Sequence, residues 1–128
     1  MPNKEKTLLF RWYNEVWNNG NENAIHEMMD EEHVAHGIGE ENKLHGIEAF
    51  KSFYKSFREQ FKDIYVDVEE TVSEADYEVA RCHVTATHIP TGRKVDFNGL
   101  GMAKIKDGKI VLGWNHFDFD TMNKQWAG

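Results

Sequence analysis

The sequence predicts an α+β domain whose helices pack on one face of a mainly antiparallel sheet. Three observations carry this prediction. Apolar residues in the first half recur at helical spacing. From Ile64 the period changes to two, in four runs separated by short turns. Helices followed by such a meander segregate to one side of the sheet and do not alternate with its strands. A chain of 128 residues is expected to form one domain, 1–128. Its 40% hydrophobic and 29% charged residues are ordinary for a chain with a core.

The first helix is expected from about Lys4 to Asn18. Leu9, Trp12, Tyr13, Val16 and Trp17 make one broad apolar face. Asn18-Asn19-Gly20-Asn21 ends it, because Gly and Asn tolerate the left-handed conformation at a helix C-terminus. A short second helix, about Glu22 to Asp30, buries Ile25, Met28 and Met29, and His33 to His36 reads as a short strand. The third helix, about Gly46 to Gln60, places Phe50, Phe53, Tyr54 and Phe57 inside and Lys51, Lys55, Arg58 and Glu59 outside. Strands are expected at Ile64 to Glu69, Val79 to Ile89, Lys94 to Lys106 and Lys109 to Phe119.

The last turn, Ile105-Lys106-Asp107-Gly108-Lys109, allows two registers. A two-residue type I′ loop pairs Lys106 with Lys109; a three-residue loop with a bulge pairs Ile105 with Lys109. The three-residue loop is preferred because it gathers small residues on one face. That face carries Phe97, Gly99, Gly101, Ala103 and Ile105, then Val111, Gly113, Asn115 and Phe117. It has a hollow that helical aromatics such as Phe53 and Phe57 can roof. The opposite face carries Leu100, Met102, Ile110, Leu112, Trp114 and His116, an apolar surface that a second copy would cover. Alternatively, the glycines only relieve strain in a bent sheet.

Composition excludes several functions. Fifteen Lys plus Arg against 22 Asp plus Glu leave a charge of −7, which argues against nucleic acid and anionic membranes as partners. No apolar run is long enough to span a bilayer, and the N-terminus shows no secretory h-region. The single cysteine, Cys82, fits a reducing cytoplasm. No metal site is expected. There is no HExxH and no cysteine cluster, and the odd spacing of His33 and His36 sends them to opposite faces of a strand.

Several strings taken together resemble the SnoaL-like polyketide cyclase family, within the nuclear transport factor 2-like superfamily. They are RWYNEVWNNGN in the first helix, HVAHG after the second, GIEAFKSFYKSF in the third, HIPTGRKVDFNG between the middle strands and IKDGKIVLGWNHFDF in the last hairpin. The resemblance implies a cone-shaped, cystatin-like barrel, with three N-terminal helices and a strongly bent sheet around an apolar cavity. It implies a homodimer through the outer sheet face, and ring closure without metal or organic cofactor. An acid/base aspartate of the family falls on Asn115, and a histidine of the preceding strand falls on Gly101. An amide exchanges no proton near neutral pH, so Asn115 can polarise a carbonyl but cannot act as a general base.

Among seven histidines, His36 is the candidate proton carrier, because the superfamily places a polar group near the cavity mouth there. The plainer reading is a loop histidine bonded to a carbonyl. His88, before Pro90-Thr91-Gly92, is expected either at the rim or stabilising that turn, and His116 at the interface. Ala80, Cys82, Val84 and Ala86 share an inward apolar stripe, which makes Cys82 a cavity-wall residue with an inert thiol. Tyr13 and Trp17, four apart on one helix face, present a phenol and an indole to a ligand.

The expected function is therefore a homodimer, through Leu100, Met102, Leu112, Trp114 and His116, that binds a hydrophobic small molecule bearing a carbonyl or ester. The chemistry is cofactor-free cyclisation, isomerisation or hydrolysis, with His36 and Asn115 as the reacting pair. The alternative is a non-catalytic binding or dimerisation module, since Asn115 replaces the carboxylate. The expected ligand contacts are Tyr13, Trp17, Phe53, Phe57, Cys82, His88, Phe97, Gly101 and Phe117.

Overall fold

In the computed structural model, which describes residues 4–128, the predicted first helix is present but changes its winding midway. The first three positions of the expected 1–128 domain lie outside the described residues. After a 3₁₀ turn at Lys4–Lys6, α1 runs Leu8–Trp12 and continues as a π-helical turn over Tyr13–Asn18. Its start is well capped. The Thr7 side chain accepts from the Phe10 N–H at 3.2 Å, and the distant Glu78 carboxylate accepts from Leu8 and Leu9 at 3.2 and 2.9 Å. Its end is tied to the rest of the protein. Tyr54 donates its hydroxyl hydrogen to the Val16 carbonyl at 2.7 Å. The Asn18 amide bonds both backbone groups of Val66, at 2.9 and 2.6 Å, like one more rung on a strand edge.

The other elements follow in order: α2 Asn23–Met28, β1 Met29–His36, β2 Lys43–His45, α3 Ile47–Gln60, β3 Phe61–Glu74, β4 Tyr77–His88, β5 Lys94–Lys106, β6 Lys109–Phe117 and α4 Phe119–Ala127. Met29 and Asp30, expected in the second helix, begin β1 instead. Neither β2 nor α4 was expected. Asp118 caps α4 by accepting from the Thr121 N–H at 3.1 Å, and Phe119, Met122 and Trp126 give it an apolar side. The tail therefore carried a helix signal, in a capping residue and in residues three and four apart.

Six strands form one sheet in the order β2-β1-β6-β5-β4-β3. The predicted meander is β3 to β6, antiparallel throughout, and β1 joins it parallel to β6. Register shifts in β3, at Lys62/Tyr65 and Val68/Glu70, help to curve the sheet. The core lies between its concave face and the helices. Val16, Ala24, Ile25, Phe50 and Tyr54 meet Val66, Val68, Ala80, Val84 and Phe97 there. This is the predicted α+β class, with helices on one side of a bent, mainly antiparallel sheet.

The last hairpin corrects the preferred register. Lys106 pairs with Lys109 around a two-residue loop, with Asp107 and Gly108 at φ +53 and +76, as a type I′ turn requires. A bulge follows at once: Lys104 pairs with Leu112 and Ile105 with Ile110, which leaves Val111 as the extra residue. The bulge restores the parity that the longer loop would have produced. Gly101 therefore lies opposite Asn115, and Gly99 opposite Phe117. Ile110, expected on the outer face, is instead buried and lines the interior.

Candidate functional site

Between the helices and the sheet is a cavity of about 90 Å³, far above the ~10–15 Å³ that one water requires. Its walls are almost wholly apolar. Trp17, from the π-helical turn after α1, and Phe53 and Phe57, from α3, roof it, Phe97 and Phe117 flank it, and Ala103 and Gly113 leave room at its floor. Trp17 packs edge-on against Phe53, Tyr54 and Phe57, at centroid distances of 6.4, 4.9 and 5.6 Å. No Lys, Arg, Asp or Glu lines the space. The lining residues with polar side-chain atoms are Tyr13, His33 and Asn115, with the indoles of Trp12 and Trp17.

Tyr13 reaches across to β5. A Cβ added at Gly101 would collide with its hydroxyl, so the absence of a side chain there is what seats the phenol. Burial, and secondarily the Cys82 thiol, raise the Tyr13 pKa far above that of an ordinary phenol. It enters any chemistry as a hydrogen-bond donor that keeps its proton.

Asn115 sits on β6 with its side chain in the cavity wall. Its Nδ2 donates to the His36 backbone carbonyl at 3.0 Å. A carbonyl can only accept, so this bond fixes the amide's orientation and turns Oδ1, an acceptor, away from β1.

His36 is not where it was expected. Its ring lies on the outer side of β1, stacked on Trp114 at 6.0 Å and 21°. It meets Asn115 only through its backbone carbonyl. His36 and Trp114 are register partners on neighbouring parallel strands, and partners share a face.

His33, three residues earlier, faces inward. It is 1% exposed, lines the cavity and stands edge-on to Phe50 at 6.3 Å. Its Nδ1 lies 3.2 Å from the Asp30 carbonyl, which again can only accept, so Nδ1 carries the hydrogen. Its Nε2 is buried without a hydrogen-bond partner among the described residues. Burial lowers its pKa below the ordinary histidine value, outweighing the Asp30 hydrogen bond that raises it. The odd spacing separates His33 from His36 as expected, and it is His33, not His36, that faces the cavity.

Two other expected cavity residues lie elsewhere. His88 is buried beneath α4, where its ring stacks on Trp126 at 4.2 Å and its Nδ1 meets the Thr91 hydroxyl at 2.9 Å. The unforeseen helix covers the place read as a rim. Cys82 points inward but is packed in solid core outside the cavity wall, and burial pushes its thiol up to about 12. Tyr13, Trp17, Phe53, Phe57, Phe97, Gly101 and Phe117 all line the space. Among the described residues, no three His, Cys, Asp or Glu side chains converge as a metal site would need, and no helix is long and apolar enough to cross a membrane.

A curved sheet closed by helices over an internal, uncharged cavity defines the class: the cone-shaped α+β fold of the nuclear transport factor 2-like and ketosteroid isomerase-like proteins. The chain belongs to the SnoaL-like polyketide cyclase family, whose model matches residues 7–126. Among solved structures it resembles IdmH of Streptomyces antibioticus, provisionally assigned as a polyketide cyclase, with a TM-score of 0.83, 23% identity and coverage of 98% of this chain and 100% of that one. A protein of Bacillus cereus with the same provisional assignment has a TM-score of 0.83 and 28% identity, over 94% of this chain and 78% of that one. A ketosteroid isomerase-like protein of Catenulispora acidiphila, solved with trimethylamine, has a TM-score of 0.83 at only 10% identity, over 95% and 93% of the two chains. No curated protein matches the sequence.

Proposed function

We propose that the protein binds a neutral, largely apolar small molecule bearing a carbonyl or ester, and carries out cofactor-free proton-transfer chemistry of the cyclase or isomerase kind. The observation that supports it is the Tyr13 hydroxyl, a retained-proton donor set in an aromatic cavity without a charged side chain. Such a group suits a carbonyl oxygen and would leave a carboxylate without a countercharge. Family membership supports the same reading. The bound oxygen would accept from Tyr13, with Trp17, Phe53, Phe57, Phe97 and Phe117 around the apolar body. The protein would act as a dimer, because Leu100 and Met102 are 47% and 36% exposed on the outer face beside Trp114.

Trp12 and Trp17 line the cavity, so tryptophan fluorescence reports on occupancy. Neutral aromatic ketones should quench it saturably, and carboxylates of the same size should not. Tyr13→Phe should weaken ketone binding by roughly 0.5–1.5 kcal/mol, the net worth of one hydrogen bond. Equal binding of ketone and carboxylate would remove the reading. Asn115, standing where the resemblance implies an aspartate, favours a second reading: binding without turnover. The choice turns on whether the cavity holds another base.

A further inference from the structure

We propose that His33 Nε2 is that base, and that it takes a proton from a carbon lying between two carbonyl groups of the bound molecule while Tyr13 holds the oxygen on which charge collects. This rests on the carbonyl-ligand reading above and adds to it a proton acceptor.

One buried atom of His33 is unsatisfied. Buried polar atoms in folded proteins nearly always have a partner, and one without needs a reason. Among the described residues His33 Nε2 is the buried side-chain nitrogen or oxygen that lacks one. The Asp30 carbonyl holds the hydrogen on Nδ1, so the unpartnered atom is a lone pair, on a ring that lines the cavity. A buried acceptor without a donor calls for a proton from the ligand.

Chemistry then limits the ligand. A free imidazole titrates near 6.5, so proton loss to it from the α-hydrogen of an isolated ketone is steeply uphill. A hydrogen flanked by two carbonyls is far more acidic and is within its reach. The cavity offers no Lys, Arg or metal-ligand cluster to neutralise an anion, so the molecule enters neutral. The C–H bond breaks and its electron pair forms the new carbon–carbon double bond. The carbonyl π pair moves to oxygen, which accepts a hydrogen bond from Tyr13. The proton rests on Nε2, and His33 is then an imidazolium still bonded through Nδ1 to Asp30. Returning the proton to a different carbon isomerises the molecule. If the new carbanion first attacks a carbonyl of the same molecule, the proton goes to the resulting alkoxide and a ring closes. Either product is an isomer of the substrate, so no oxidant, reductant or leaving group is involved.

The test uses ethyl 2-methylacetoacetate in D2O, following loss of its C2 hydrogen by proton NMR, with binding followed by line broadening. The wild type should accelerate exchange over buffer. His33→Gln should bind the probe yet lose at least about 100-fold of the acceleration, the lower range for a positioned base. Tyr13→Phe should lose less. The wild-type rate should rise with pH as His33 loses its proton, below 6.5, and level off above. The groups that set that titration are the Asp30 carbonyl and carboxylate from β1 and His45 from β2, with uncharged Phe50 facing it from α3. If His33→Gln fails to fold, that wild-type profile decides, since exchange independent of pH across this window overturns the base assignment. Probe bound without exchange, or exchange undiminished in His33→Gln, also overturns it and leaves the carbonyl-ligand reading standing. No binding of the probe removes both.

Discussion

The Tyr13 hydroxyl occupies the space that a side chain at Gly101 would need. A helix residue and a strand residue 88 positions apart are thus fitted to one another. The glycine stands at the position where the family resemblance implies a histidine. In this chain the polar group comes from the helix instead. Gly101→Ala should overpack the contact and cost about 1–3 kcal/mol in urea denaturation. In a Tyr13→Phe background, which lacks the colliding oxygen, the cost should shrink. An equal cost in both backgrounds would mean that the two residues are not coupled.

Asn115→Asp should not restore a family-type carboxylate at no cost. The Asn115 Nδ2 donates to the His36 carbonyl, and a carboxylate would set an acceptor against an acceptor. The expected loss is about 1–3 kcal/mol at neutral pH. It should diminish on acidification, when a protonated Asp can donate again. A variant as stable as the wild type at pH 7 would show that this hydrogen bond contributes nothing.

His33 should make stability depend on pH. Its folded pKa lies below the unfolded value near 6.5, so the unfolded chain binds more protons in that window. The contribution is present above about 6.5 and is lost as pH falls through the folded value. The wild type should therefore weaken more steeply than His33→Gln on acidification below 6.5. Parallel curves would show that the ring titrates alike in both states.

The outer face should hold two copies together. Leu100, Met102 and Tyr77 are exposed there beside Trp114, and a twofold pairing would bury the same patch on each. Leu100→Asp should give monomers in analytical ultracentrifugation at micromolar concentration. A monomeric wild type would end the dimer proposal.

The sequence by itself determined the fold class and most of the cavity wall. Helical spacing of Phe50, Phe53, Tyr54 and Phe57 and the alternation from Ile64 onward are local patterns, set by 3.6 and two residues per repeat. Strand parity grouped Phe97 with Gly101 and Asn115 with Phe117, and the hairpin register with its bulge put the two pairs on one face. Only the tertiary structure decided which histidine served it. His33-Val34-Ala35-His36 offers each face one histidine and one apolar residue, so its composition cannot say which side turns inward. The parallel pairing of β1 with β6, His36 beside Trp114, made that choice. The same holds for the hairpin: Asp107-Gly108 encodes a two-residue loop, but the bulge at Val111 is placed by how the whole sheet bends. His88 bonds Thr91 of its turn, as one of its two readings had it, but a local reading cannot see that α4 folds back and stacks Trp126 upon it. Periodicity is carried by neighbours in the chain. Which face is inside, and what lies over it, is carried by contacts between residues far apart in it.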